Sequence, residues 1–236
     1  MRKTMYNRLC QLPLFQGLRK EDITSILEKI KISFDKYDSR SLLVKQGEVC
    51  DKLYFVLDGE IEIEYTNNEK GYGITEFMTG PCVIEPYSMF GMNTRYSASY
   101  YTTGNSNIMI IDKLFVIPQL NQFQIFNLNV MNMLCSKYQN LEDKLWNTDL
   151  TGTTEQKVLK FFYLKCKSGT GKKLVAIKME VLGSHINETR LNVSRVLNKL
   201  ANLNLVELRR KMTIIPDMER LIEYMEKLNT EEKKEE

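Results

Sequence analysis

The chain has 236 residues, 43% of them apolar, with one histidine, five scattered cysteines and a net charge of +3. A single histidine removes most catalytic triads and multi-histidine metal sites. Cysteines without a Cys-x-x-Cys pair suggest neither a zinc knuckle nor a disulfide framework, and with no signal-like start and no apolar run of roughly 18 residues a cytoplasmic protein is expected.

Leu12-Pro13-Leu14-Phe15 and Gly17-Leu18 form a turn, after which Ile23, Ile26, Leu27 and Ile30 repeat at helical spacing and predict one short helix over 19–30. From Ser41 to Ile111 the pattern changes to short strands. They are predicted at Leu42–Val44, Lys52–Leu57, Glu60–Tyr65, Ile74–Phe77, Ser97–Thr102 and Asn107–Ile111, divided by Gln46-Gly47, Asp58-Gly59 and Asn67–Gly71. Closely spaced short strands predict a β-sandwich or barrel. Residues 118–146 then read as one long helix with two apolar faces. Met131, Leu134, Tyr138, Leu141 and Leu145 follow a heptad rhythm, as a seam against a second copy does, while Phe123, Phe126, Val130 and Met133 can pack on the barrel. A helix buried in a monomer core is the plainer alternative.

Residues 147–152 break the pattern as a hinge. Thr154 is expected to cap a helix through Cys166, Ser168–Gly171 to turn, and Leu174–Ile177 to form a strand. Residues 151–216 carry 13 basic against 4 acidic side chains, in contrast to 16 against 17 over residues 1–146. Such a basic block is the electrostatic footprint of a polyanion partner, or else a solvated face. Within it, Met179, Val181, Leu182 and Ile186 make a first amphipathic helix, with His185 packing at its end. Asn187-Glu188 reads as a turn and Thr189 as the N-cap of a second helix. That second helix buries Val193, Val196, Leu197 and Leu200 and turns Arg190, Asn192, Ser194, Arg195 and Lys199 outward. A helix fits the major groove, arginine and asparagine match guanine and adenine edges, and Thr189 and Ser194 suit phosphate. Leu205–Leu208 and Met212–Ile215 predict a hairpin tipped by Arg209, Arg210 and Lys211, a wing for the phosphate backbone. Asp217 caps a last helix, and residues 231–236 are expected to fray.

In order along the chain, Pro13–Leu18, Gln46-Gly47-Glu48 with Leu53–Gly59, Asp149–Gly152 and Thr189–Leu197 resemble the cyclic-AMP receptor protein / fumarate–nitrate regulator (CRP/FNR) family of bacterial transcription regulators. The resemblance implies an α+β fold: a cyclic-nucleotide-binding-like β-roll (jelly roll) over 1–117, a dimerisation helix over 118–146, a hinge over 147–152 and a winged helix-turn-helix over 153–236. It implies a homodimer, a palindromic double-stranded DNA operator and RNA polymerase as a further partner. The implied DNA contacts are Thr189, Arg190, Leu191, Asn192, Ser194, Arg195, Lys199, Arg209, Arg210 and Lys211. The family often has an acidic residue where Leu191 stands, and leucine offers apolar contact only, for instance to a thymine methyl.

Nucleotide-binding members use a Gly-Glu pair for the ribose and an Arg-Ser/Thr-Ala run for the cyclic phosphate. Here the pair is Ile84-Glu85 and the run Tyr96-Ser97-Ala98, with Arg95 one residue early and so facing the other way in extended chain. Tyr138 falls where the base would lie. Glu85, Arg95, Tyr96, Ser97 and Tyr138 therefore outline an effector pocket in which a cyclic nucleotide is not expected in the usual way, and Glu85 with Arg95 reads equally as a surface ion pair. No N-terminal cysteine cluster offers an iron–sulfur site. Two other function classes remain: a cyclic-nucleotide-responsive module acting on a protein partner, which would need no basic C-terminal block, and a β-barrel enzyme, which would need a metal cluster or a nucleophile–base pair.

Overall fold

The structure, a computed structural model, describes residues 5–146 and 150–235. Its elements are α1 (Met5–Leu9), α2 (Lys20–Lys29), β1 (Ile32–Tyr37), β2 (Leu42–Val44), β3 (Lys52–Asp58), β4 (Glu60–Asn67), β5 (Tyr72–Thr79), β6 (Cys82–Ile84), β7 (Ser99–Thr102) and β8 (Ser106–Asp112). They continue with α3 (Lys113–Gln119), α4 (Gln124–Trp146), α5 (Thr154–Lys165), β9 (Lys173–Ile177), α6 (Met179–Ile186), α7 (Arg190–Asn202), β10 (Glu207–Arg209), β11 (Met212–Ile215) and α8 (Met218–Glu235). The chain divides into two compact units: the chain up to Ile63 with Met78–Leu141, and Glu64–Phe77 with the chain from Glu142 onward.

In the first unit, an antiparallel sheet in the order β1-β8-β3-β6 covers the core, and β2 pairs with β7. Leu53, Phe55, Val56, Ile108, Met109 and Ile111 fill it, and each is essentially inaccessible. The turn between β3 and β4 depends on Gly59, whose φ of 109° is open to glycine and whose missing side chain leaves the space that Ser106 occupies. Phe15 stacks edge-on against Phe55 at 5.3 Å and against Phe126 of α4 at 6.1 Å. The Asn129 amide adds donated bonds to Leu14 O and Gln16 O, at 3.2 and 2.8 Å. One face of α4 is thus held on the roll. Its other face leaves Met131, Leu134, Tyr138, Leu141 and Leu145 between 40% and 68% exposed.

In the second unit β10-β11-β9 form the sheet of a winged helical domain, and β5 adds a further strand beside β9. Val158, Phe161, Phe162, Leu182, Val193, Leu197, Leu200 and Ile215 share one core with Ile74 of β5.

The local expectations need several corrections. The long helix begins at Gln124, because the chain first ends α3 at Gln119, tightens into a 3-10 turn at Leu120–Gln122 and extends at Phe123. Leu120 and Phe126 are both buried, so core packing bends the chain between them and overrides helical periodicity. Thr153 caps α5, one residue before the expected Thr154, in a capping box with Gln156. β10 starts at Glu207, since Leu205 and Val206 are buried as the end of the α7 turn. The final helix continues to Glu235, through Glu and Lys residues that favour helix. β1 and β6 carry strands that the sequence did not reveal. Of the expected hinge, residues 147–149 lie outside the described residues; Asp217 caps α8 as expected.

Candidate functional site

The helix-turn-helix is built from α6, a left-handed turn at Asn187 (φ 54°) and α7. Gly183 lets the two helices close. A Cβ there would lie 2.6 Å from the Glu188 carbonyl oxygen, and the Glu188 N–H donates to Gly183 O at 2.9 Å. Thr189 caps α7, its hydroxyl accepting from the Asn192 N–H at 3.2 Å. Val193, Leu197 and Leu200 are buried, which turns Arg190, Leu191 and Arg195 to solvent.

The outward side chains differ in how far they are already committed. Arg190 Nε lies 3.2 Å from Glu180, but both side chains are more than 60% exposed and such a pair is worth little. The Asn192 amide donates to Glu188 at 3.1 Å, and Glu188 also takes Lys157 at 2.8 Å; bonds from Lys157 and Asn192 hold the Glu188 carboxyl below its usual pKa. Ser194 accepts from the Asn198 amide at 3.5 Å. Lys199, at the far end of α7, donates to Glu155 at 2.6 Å, a bond that raises its pKa, and Tyr224 donates to the same carboxylate at 2.8 Å. It therefore stands in a different cluster from the two arginines. Arg210 and Lys211 make the tight turn between β10 and β11, Lys211 with φ 60°, while Arg209 lies 3.9 Å from Glu207. A groove of about 540 Å³ runs between α6, the start of α7 and this turn, with Lys178, Glu180, Arg190, Arg209, Arg210 and Lys211 on its walls. Four of those five cations are drawn from the expected DNA contacts.

The roll places the effector-pocket residues differently from one another. Glu85 is 3% exposed, with φ 36° and ψ 54°, a left-handed conformation that costs a non-glycine residue roughly 1–2 kcal/mol. Its carboxylate repays this with a full set of partners. Oε2 accepts Ser88 Oγ at 2.7 Å and the Ser97 N–H at 2.8 Å; Oε1 accepts Tyr100 OH at 2.9 Å and Ser97 Oγ. Burial pushes its pKa up, but the bonds from Ser97, Ser88 and Tyr100 outweigh it and the net shift is downward. A carboxylate has about four acceptor positions, and here all are taken from within the roll. The alternative reading of Glu85 as a surface partner of Arg95 is thereby overturned: Arg95 is exposed and donates to Gly47 O at 2.7 Å. Tyr96 is buried in its place, donating to Lys52 O at 2.7 Å. Tyr138 is 64% exposed on the free face of α4. The carboxylate at the ribose-type position is thus engaged within the roll, and the Arg95 guanidinium faces solvent.

Burial pushes the Cys82 and Cys166 thiols up to about 12, which disfavours their thiolates. Among the described residues no group of three His, Cys, Asp or Glu could hold a metal ion, and no helix is long and apolar enough to cross a membrane. His185 lies against Tyr72 and Phe161, at 5.6 and 5.5 Å between ring centres, and its Nε2 is 2.9 Å from Lys70 O. The packing role expected of His185 is thus shared between Phe161 of α5 and two partners the sequence did not point to, Lys70 and Tyr72 of the β4–β5 hairpin.

Residues 34–121 match the cyclic nucleotide-binding domain family, and residues 156–224 match the Crp-like helix-turn-helix domain family. Among solved structures, the catabolite activator protein of Thermus thermophilus is 20% identical, over 90% of this chain and 97% of that one, with a TM-score of 0.51. A transcriptional regulator assigned to the CRP/FNR family from Eubacterium rectale is 16% identical over 91% of this chain and 98% of that one, also with a TM-score of 0.51. No curated protein matches the chain. A roll of the cyclic nucleotide-binding type, a long helix and a Crp-like helix-turn-helix, in that order, place this chain in the CRP/FNR family of transcription regulators.

Proposed function

We infer that the protein is a homodimeric, sequence-specific DNA-binding transcription regulator whose roll does not take a cyclic nucleotide in the family's usual way. One observation carries the reading: α7 buries one stripe and presents Arg190, Leu191 and Arg195 to solvent, beside a turn of Arg209, Arg210 and Lys211. The N-terminal half of α7 would enter the major groove, with Arg190 and Arg195 on guanine edges or phosphate, Asn192 and Ser194 alongside, and Leu191 against a thymine methyl. Thr189 and the wing turn would meet phosphate. Lys199, already paired with Glu155, adds little to this.

Two chains would pair along α4 through Met131, Leu134, Tyr138, Leu141 and Leu145, setting two recognition helices about 34 Å apart on a palindromic site. The hinge over 147–152 would set their angle. A roll with a spent carboxylate supports a signal other than cyclic AMP, or a constitutive dimer.

The test is selection of bound sequences from random duplex DNA, followed by binding at increasing salt. The expected result is a palindromic consensus whose affinity falls steeply with salt. Absence of any duplex binding at low salt would overturn the reading and favour a module acting on a protein partner. Calorimetry with cyclic AMP and cyclic GMP should show no micromolar binding.

A further inference from the structure

The winged domain contains a segment from far upstream. Strand β4 leaves the first unit after Ile63, turns at Asn68–Gly71 and comes back as β5, and residues 64–77 belong to the second unit. Five consecutive residues of β5 pair antiparallel with β9, from Tyr72 opposite Ile177 to Glu76 opposite Lys173. The join is buried as well as hydrogen-bonded. Ile74 is 3% exposed within the core of the winged domain, and Tyr72 stacks edge-on with Phe161 at 6.0 Å.

Charges are committed to this join. Glu76 is 2% exposed and its Oε1 accepts the N–H groups of Lys167 and Ser168, at 2.8 and 3.2 Å. Lys173 is fully buried 3.6 Å from the same oxygen, and its ammonium has no hydrogen-bond partner. A buried ammonium in that position depends on the carboxylate beside it. Without the hairpin, β9 would be an open edge and Lys173 would lose the carboxylate beside it. At the other end, the hairpin turn bears on α6: Lys70 O meets His185, and Gly71 lies against Val181, whose methyl is 3.4 Å from where a Cβ would stand. None of these partners is among the candidate DNA contacts, so the joined hairpin leaves α7 and the wing turn open.

We propose that the β4–β5 hairpin is a working strand of the winged domain, latched by Glu76, and that it positions α6 and through it the DNA-reading helix α7. Glu76 is a positioning residue, and the hairpin is a second covalent route, besides α4, by which a change in the roll reaches the reader. The effect on DNA rests on the function inferred above; the effect on α6 does not.

The register supplies the experiment. A Cβ on Gly73 would stand 4.0 Å from Ala176 Cβ, within the span of a disulfide, and both residues lie on the outer side of the sheet. The full-length Gly73→Cys/Ala176→Cys protein, mildly oxidised, is expected to form the cross-link in high yield, with the single-cysteine variants as controls. Glu76→Ala is expected to speed hydrogen exchange of 179–186 by about tenfold or more while leaving β3 and β8 unchanged. It should weaken operator binding by a similar factor, and adding the oxidised cross-link should restore both, reversibly with reductant. A cross-link that does not form overturns the proposal. So does faster exchange confined to 64–77, or a cross-link that fails to restore α6. If the wild type binds no duplex while the exchange results hold, the DNA reading falls and the hairpin's hold on α6 stands.

Discussion

The loop around Glu85 and the outer face of α7 treat polar groups in opposite ways. In the roll, a carboxylate buried at 3% exposure collects four donors from Ser88, Ser97 and Tyr100. On α7 and the adjacent turn, Arg190, Arg195, Arg210 and Lys211 stand in solvent with at most a weak ion pair each. Buried polar groups must be satisfied inside the fold; exposed cations beside an apolar stripe keep their capacity for a partner. The difference separates a closed site, whose polar groups serve the fold, from an open one, whose cations face solvent.

The test with the largest expected effect acts on the geometry that makes the open site useful. Leu134→Asp with Leu141→Asp puts charge on the exposed face of α4. The protein should sediment as a monomer and lose operator affinity by roughly 100-fold or more, because two linked half-sites bind far more tightly than one. A variant that stays dimeric would move the interface elsewhere. Next come the arginines themselves. Arg190→Ala and Arg195→Ala should each cost about 1–3 kcal/mol of operator binding and relax the consensus at one position, with thermal stability nearly unchanged. Unchanged operator affinity in both would reject α7 as the reader.

The closed site predicts the reverse, a loss of stability without loss of binding. Glu85→Ala leaves buried donors unpaired and should lower the stability of the roll by about 1–3 kcal/mol. The sign with pH is fixed by the downward pKa shift. The folded state binds the proton less well than the unfolded one, so the carboxylate's contribution is complete above its ordinary value of 4.5 and is lost as pH falls from there through the folded pKa. Glu85→Gln should flatten that acid limb. An acid limb identical to wild type would show that the carboxylate is not anchoring the loop.

How much of this was legible in the sequence depended on range. The helix-turn-helix was readable because its signals are local: Thr189 as cap, an apolar stripe at Val193, Leu197 and Leu200, and basic residues opposite. The exposed apolar stripe on α4 was equally local, yet the start of the helix was not, because Leu120 is drawn into the roll by core packing. β1 escaped because it is a sheet edge exposed at four of its six residues and shows no buried alternation. β5 was read as a strand, but no periodicity says that its partner is β9. Glu76 and Lys173 look like ordinary wet-face residues until that pairing buries both. The Glu85–Arg95 pair failed in the same way, since a left-handed residue at Glu85 turns the carboxylate inward towards Ser97 and Tyr100.

The smallest effect is expected at Thr189, where the two kinds of polar work meet in one side chain. Its hydroxyl already serves the fold by capping α7 through the Asn192 N–H. The DNA reading asks the same end of the helix to face phosphate. Alanine removes the cap and should cost about 1 kcal/mol of stability along with some affinity, so it cannot separate the roles. Aspartate can. It caps as well as threonine, and its charge is favourable at a helix N-terminus, so Thr189→Asp should melt within a few tenths of a kcal/mol of wild type, by an approximate reckoning of cap preferences. The same charge facing a phosphate repels it, so operator affinity should fall by about tenfold, most steeply at low salt where screening is weakest. Thr189→Ser, which keeps the hydroxyl and adds no charge, should retain both. Equal DNA affinity for Asp and Ser would mean that this end of α7 does not face the duplex.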